Sequence, residues 1–512
     1  MSLLIKNGLV VRGSAIDRTW DRVDILIQRD TITAVGNDVA PPASDVDIID
    51  ASDQIVMPGL INAHMHSNES FEQGAYDNLP LDLWLLESYS PFGFPLRGER
   101  EHYLRTMTCA IRSIRSGVTT VQDDIVYPPS TDDTVDAAMR AYRDAGLRAW
   151  VTVDMWDRPF MESLPFVNEI IPADMQKELN ALPGLTVDEF VGLFERHAKN
   201  WHEHDGRLRV LLAPCGPQRC SLDLLREIGR LSDAYDVPIH SHTLETRLQA
   251  VQAELEHGQS WIAFLDDLGL LGPRTTLVHG IWLSDSDIAR LAERECTIVH
   301  NPLSNLKLGS GVCPVRRLLD AGVNVALGTD GMTTSDTADL VEAIRVASLI
   351  HKIDGPDYTS WVGAEEVFDM ATKGGARSGL MQDSLGEIAP GMRADIILLD
   401  ANDWGFTPLT NPVQQLAFSA NAGAVRTSIV NGKVVMRDRD ILTIDEAALK
   451  AEIQEAAERF WRDDVPAMRA GAARLKPYLE KMYWQAQEHE IDFAPHPRRQ
   501  PPVAAAKMAS GG

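Results

Sequence analysis

Two histidines separated by one residue, His64 and His66, end the apolar run IVMPGLINAHMH. Side chains at i and i+2 of a strand point to the same side, so two imidazoles placed this way can share a cation. By itself the pair is equally compatible with two histidines that bind nothing. Two more groups sit at the ends of later apolar runs: His242 in VPIHSHT and Asp330 in NVALGTD. Three imidazoles and a carboxylate suit Zn²⁺ or Fe²⁺ better than Mg²⁺ or Ca²⁺, which prefer oxygen. A cation held with one position open lowers the pKa of its water from 15.7 to about 7.

Glu245 follows His242 by three residues in His-Thr-Leu-Glu. At the start of the next helix its carboxyl could reach over a molecule beside the cation and move protons to a leaving nitrogen. The competing reading is a carboxylate that merely stabilises a helix N-terminus. His279, in LVHG, could stabilise an oxyanion, orient the water or add a ligand; alone it would read as a core histidine. His240 lies deeper on the same strand as His242 and reads as structural. His300 either packs under the site or touches substrate. Asp123 and Asp124 either contact substrate or form a buried hydrogen-bond network, the second being the reading preferred.

These groups need a scaffold that brings distant segments together. Eight apolar runs alternate with amphipathic stretches between about residues 58 and 385: IVMPGLINAHMH, GVTTVQDD, RAWVTVDM, LRVLLAPC, VPIHSHT, TTLVHGIW, CTIVHNP and NVALGTD. Eight buried strands alternating with helices predict an α/β fold, a (β/α)8 TIM-like barrel, with a doubly wound open sheet as the alternative. The candidate side chains all fall at the C-terminal ends of these runs, where barrel enzymes build their sites. Residues 1–57 and 386–440 carry short alternating runs bounded by turn residues, which predicts one small β-sandwich domain made from both flanks. Residues 441–490 read as a C-terminal helical extension, and the Pro- and Ala-rich 491–512 as a disordered tail.

The chain has 512 residues, 44% hydrophobic and 24% charged, which is ordinary globular composition. Lys+Arg number 48 against 74 Asp+Glu, a net charge of −26. So acidic a chain predicts no nucleic-acid partner and no anionic membrane partner. No apolar run reaches the ~18 residues of a spanning helix, and the N-terminus lacks a signal peptide's pattern. Five cysteines without a CxxC pair predict no disulfide framework. The expected location is the cytoplasm.

The segments MPGLINAHMH, HTLE, LVHG, HNPLSNLKLGSG and LGTDG, in that order, resemble the amidohydrolase superfamily in its cytosine deaminase-like branch. Nearest is the group of guanine, S-adenosylhomocysteine and methylthioadenosine deaminases with the s-triazine hydrolases. The resemblance runs from the N-terminal strands to about residue 440. It implies a distorted barrel with a β-sandwich, and a single divalent metal, zinc ahead of iron, on His64, His66, His242 and Asp330. It implies Glu245 as proton shuttle, Asp330 as acceptor of the attacking water's proton, and His279 as a catalytic group. The fourth run, LRVLLAPCGPQRC, offers no Lys for the carbamylated bridge of binuclear relatives, which favours one metal. Candidate substrate contacts are Gln73, Asp77, Trp84, Cys215, Gln218, His300 and Asn305. Cys215 stands where adenosine-type deaminases carry His, no Arg matches Gln73, and Asp77 replaces a longer acid. These departures argue against a nucleoside.

The resemblance implies a metal-dependent aminohydrolase that uses an activated water to displace ammonia or an amine from a small N-heterocyclic substrate, in a homo-oligomer. Glu245 favours amine expulsion, since an amine must be protonated to leave and chloride need not be. The alternatives are an amide, urea or lactam hydrolase or a dehalogenase on the same metal site, and a scaffold without catalysis. Two long loops, 67–92 and the segment DMWDRPFMESLPF, carry Trp84, Phe92 and Phe160, which either line a pocket for a flat molecule or pack beneath the loops.

Overall fold

The computed structural model describes residues 2–41, 46–126, 131–182, 184–353 and 355–493, without the side chains of residues 160 and 161. The expectations for Phe160 and for most of the 491–512 tail therefore lie outside the described residues.

All eight runs form strands of one parallel sheet: β6 (Leu60–His66), β7 (Val118–Asp123), β8 (Arg148–Met155), β9 (Leu208–Pro214), β10 (Ile239–Thr243), β11 (Thr275–His279), β12 (Thr297–His300), and an eighth broken into β13 (Asn324–Leu327) and β14 (Asp330–Gly331). The hydrogen-bonded order runs from β13 through β12 down to β6 and on to β14. The two ends of this path are consecutive pieces of one stretch interrupted at Gly328 and Thr329, so the sheet closes on itself. That is the (β/α)8 barrel, and the open sheet is excluded. The strands are buried nearly throughout, because helices cover the outside and side chains fill the inside. Two glycines lie where the sheet closes. A Cβ on Gly328 would meet the Asn301 Oδ1 at 2.4 Å and the His64 carbonyl at 2.9 Å; one on Gly331 would meet Glu69 Oε2 at 2.0 Å.

Both flanks contribute to a second nine-stranded sheet. The N-terminal part supplies β1 (Ser2–Arg12), β2 (Thr19–Gln28), β3 (Thr31–Gly36), β4 (Val46–Asp50) and β5 (Gln54–Pro58); the C-terminal part supplies β15 (Ile396–Asp400), β16 (Val425–Val430), β17 (Lys433–Arg437) and β18 (Asp440–Ile441). The two parts join where β5 and β15 pair antiparallel, with Ile397 opposite Met57 and Leu399 opposite Ile55. Strand periodicity splits these residues between two cores. Val10, Val56, Ile396 and Leu398 face a core internal to the small β unit, with Ile5, Ile25 and Ile27. Their neighbours Val11, Ile55, Met57, Ile397 and Leu399 pack into the barrel core. The first half of β1 pairs with β4 and the second with β5, so the sheet curls over its own core as the expected sandwich.

Two helices, Glu446–Asp463 and Val465–Glu488, follow. Phe460 and Met468 pack on Phe71 and Leu104, and Leu475, Leu479 and Met482 pack with Leu83, Leu86 and Leu248. Trp461 Nε1 donates to the Phe71 carbonyl at 2.8 Å. The extension thus clamps the long loop after β6 and the helix after β10. Among the described residues no helix is long and apolar enough to cross a membrane.

A buried ion pair ties the barrel to the flanking sheet. Arg148, at the start of β8, donates from Nε and Nη2 to the Asp395 carboxylate at 2.9 and 3.0 Å, and Asp395 also accepts from the Asn431 backbone at 2.8 Å. Both side chains are nearly inaccessible, at 1% and 4%. Removing one partner would strand the other charge. Asp395→Ala is expected to lower the unfolding free energy by roughly 3–5 kcal/mol, measured by denaturant unfolding; a loss below about 1 kcal/mol would show that the pair does not hold the two parts together.

Candidate metal centre

The barrel brings His64, His66, His242, His279 and Asp330 to one point at the C-terminal ends of β6, β10, β11 and β14. Asp330 Oδ1 lies 3.5 Å from His64 Nε2 and 3.3 Å from His66 Nε2. His66 Nε2 and His242 Nε2 are 3.2 Å apart. His279 Nε2 lies 3.7 Å from Asp330 Oδ2 and 3.5 Å from Glu245 Oε2. Two overlapping groups have potential ligand atoms all within 4.8 Å of one another: His64, His66, Asp124 and His242, and His64, His279 and Asp330.

Each ring turns Nε2 inward because something fixes Nδ1 from outside. His64 Nδ1 is 2.9 Å from His240 Nε2, His66 Nδ1 is 2.5 Å from the Asp124 carbonyl, His242 Nδ1 is 2.7 Å from the Cys215 carbonyl, and His279 Nδ1 is 2.9 Å from Asn305 Oδ1. Partners of this kind set the tautomer and leave the inner nitrogen's lone pair free. Two strand ends are bent to make the approach. His279 and Asp330 have φ of +74° and +67°, a region costly for residues with a Cβ and typical of functional positions.

The donor set fits a divalent cation. His64 Nε2 is buried and has no hydrogen-bond partner, a costly state that a ligated metal removes. The cluster also carries surplus negative charge. Burial alone would push the His66 ring down, yet the Glu69, Asp330 and Asp124 carboxylates together lift it to about 9. A proton drawn onto His66 occupies the place of a positive charge, and metal binding would release it.

Glu245 lies just before the helix Arg247–His257, almost fully buried, with Oε1 unpartnered. Burial, then the charges of Asp330 and Asp82, pushes its carboxyl well above the ordinary range, which favours the protonated form. His279 is held down to about 4, chiefly by burial, and is therefore neutral. With its proton on Nδ1 toward Asn305, its inner nitrogen is an acceptor.

The other expected residues are spread more widely. Asn305 supports His279. Cys215 contributes its carbonyl to His242, and Gln218 is buried beside Gly216 with Oε1 unpartnered. His300 faces His351, Nε2 to Nε2 at 3.2 Å. Trp84 is buried with Leu81 and Leu308, packed edge-on against Tyr89. Gln73 and Asp77 are exposed; Gln73 bonds to Arg112 and the Ser70 carbonyl, Asp77 to Asn78. Asp123 accepts from the backbone and hydroxyl of Ser67 and from Tyr142, the buried network expected of it.

Two further residues reach the centre, Asp124, read from sequence as part of a buried network and not as a neighbour of the ligands, and Glu69. Asp124 supplies its carbonyl to His66, and its Oδ2 lies 3.6 Å from His242 Nδ1. Glu69 accepts from Tyr89 and Thr333, and burial raises its carboxyl to about 7. Only its position three residues after His66 hinted at proximity.

A closed barrel with an imidazole–carboxylate cluster at its C-terminal face is the architecture of a barrel hydrolase. A family model described as "Amidohydrolase family" matches residues 55–435, and the chain belongs to that family. It is 36% identical over 457 residues to a 5'-deoxyadenosine deaminase of Methanothermobacter thermautotrophicus, covering 89% of this chain and 98% of that protein. It is 35% identical to a 5-methylthioadenosine/S-adenosylhomocysteine deaminase of Thermococcus onnurineus, covering 86% and 95%. Among solved structures, an adenosine deaminase from Xanthomonas campestris with bound zinc matches at TM-score 0.78 and 28% identity, over 90% of this chain and 98% of that one. A zinc complex of an atrazine chlorohydrolase from Arthrobacter aurescens matches at TM-score 0.80 and 25% identity, over 89% and 100%.

His240 Nε2 meets His64 Nδ1 at 2.9 Å and so bears on which nitrogen of His64 is free. His240→Phe is expected to weaken zinc binding by about 10–100-fold, read by competition with a chromogenic chelator. An unchanged affinity would mean that the His64 ring is positioned by the strand alone.

Proposed function

We propose that this protein is a metal-dependent aminohydrolase that replaces an amino group on a small N-heteroaromatic substrate with oxygen, releasing ammonia. The observation that carries the reading is the buried Glu245, its carboxyl pushed toward the protonated form, beside the imidazole–carboxylate cluster. Leaving ammonia needs a proton, and a carboxyl biased toward holding one can supply it. The deaminase relatives support the same reaction, and adenine nucleosides altered at the 5' position are the first substrates to examine. Dehalogenation is the weaker reading, because chloride leaves without a proton.

His64, His66, His242 and Asp330 would hold one divalent ion, zinc ahead of iron. When bound, that ion would acidify a water and polarise the reacting carbon's substituent. Asp330, held well below the ordinary range by His64, His279 and His66 against the opposing effect of burial, is ionised and can take a proton from the attacking water. The neutral His279 accepts at Nε2 and orients that water. Glu245 gives its proton to a ring nitrogen, which makes the neighbouring carbon electrophilic, and a carboxyl proton then passes to the departing amine. Burial of all these groups keeps their charges unscreened by solvent.

The five cysteines are free, as in a reducing compartment, and a cytoplasmic location belongs to the same proposal. So does a homo-oligomeric state, which sedimentation would test.

Glu245→Gln is expected to retain its zinc and to lose at least ~100-fold in kcat, with ammonia release as the assay; near-normal turnover would remove Glu245 from the reaction. His64→Ala and His66→Ala should each reduce metal content by elemental analysis. Full occupancy in both would refute the ligand set.

A further inference from the structure

Asp82 stands in the first turn of the helix Leu81–Ser88, a position where a carboxylate ordinarily faces water and gains from the helix dipole. Here it is 5% exposed and its Oδ2 has no hydrogen-bond partner. Ser310, from the HNPLSNLKLGSG segment, is likewise buried with an unpartnered Oγ. Both line one small cavity, together with Thr246, Arg247, Trp282 and Leu308, and with Tyr483 and Gln487 of the last helix. The cavity has room for little more than a water molecule, which is also the size of an amino or hydroxyl group. It lies beside Glu245: Thr246, the next residue, lines it, and the Asp82 carboxyl acts on the Glu245 carboxyl through its charge.

A buried carboxyl oxygen and a buried hydroxyl, both without partners, are costly unless a polar group enters beside them, a donor for the first and a donor or acceptor for the second. The helix gains nothing from burying Asp82, since an exposed acid would serve its N-terminus as well. We propose that Asp82 and Ser310 form an acceptor pair that recognises a hydrogen-bond donor, N–H or O–H, on the part of the substrate beyond the atom that Glu245 protonates. This rests on the aminohydrolase reading of the centre. It narrows the substrate to amino-heterocycles that carry a second donor group, which enters the slot in place of a water. Analogues without that donor leave both acceptors unpaired and are rejected, the asymmetry by which polar pockets discriminate.

The test uses the zinc-loaded full chain and three compounds that form two pairs. 2,6-Diaminopurine riboside and adenosine differ by an N–H donor; adenosine and 5'-deoxyadenosine differ by an O–H donor. The wild type is expected to favour the donor-bearing member of one pair by about tenfold or more in kcat/KM, and the pair that responds names the donor. Asp82→Leu should bring that ratio to within about twofold while zinc content stays unchanged. Where Asp82→Leu does not fold, Asp82→Asn decides, and the ratio must fall at least about threefold. A wild type indifferent within both pairs, or a preference that survives the substitution, overturns the assignment. Should no compound release ammonia, it is the aminohydrolase reading that fails for these substrates. Calorimetric binding of the same pairs to wild type and variant then judges Asp82 by the same ratios.

Discussion

Four imidazoles turned inward on one carboxylate constitute the constraint that the rest of the molecule serves. Left in water, these rings would rotate freely and bind protons independently. Here each is pinned through Nδ1 by a group from another element: a histidine, two backbone carbonyls and an amide. Backbone carbonyls at strand ends are well suited to this, since their positions follow from the sheet and not from a rotamer. The positive φ of His279 and Asp330 shows the backbone yielding to the same demand.

Holding so many titratable groups away from water has an energetic cost, and the fold meets it by closure. At Gly328 the eighth strand passes so near the strand Leu60–His66 that a Cβ would press on the His64 backbone. The β sheet from the two flanks shares its barrel-facing residues with the main core, and the Arg148–Asp395 pair crosses the junction. Above the cluster, the last two helices press the loop that carries Glu69, Glu72 and Asp82 onto the barrel mouth, with Arg105 stacked between Phe71 and Phe460 at 4.2 and 4.4 Å.

Burial also separates the carboxyl groups into distinct chemical states. Asp330, surrounded by imidazoles, is pushed down and remains ionised; Glu245, which meets the same His279 Nε2, is pushed toward its protonated form; Glu69 is raised to about 7. Identical functional groups so become an acceptor and a donor, which an aminohydrolase needs within one small volume.

The eight strands, their order and the grouping of His64, His66, His242 and Asp330 at strand ends could be read from the chain, because parallel strands bury both faces and so appear as continuous apolar runs. The alternating runs of both flanks likewise announced a shared β unit. The partners of the ring nitrogens could not be read. Which carbonyl faces His66 or His242 depends on how neighbouring strands register, and register is a property of the closed sheet. The same holds for Gln73 and Asp77, placed by sequence near the site and found exposed, and for Asp82, an ordinary helix-start acid until the Val465–Glu488 helix and the Ser310 loop bury it. Local spacing determines which side chains share a face; only packing determines what each of them meets.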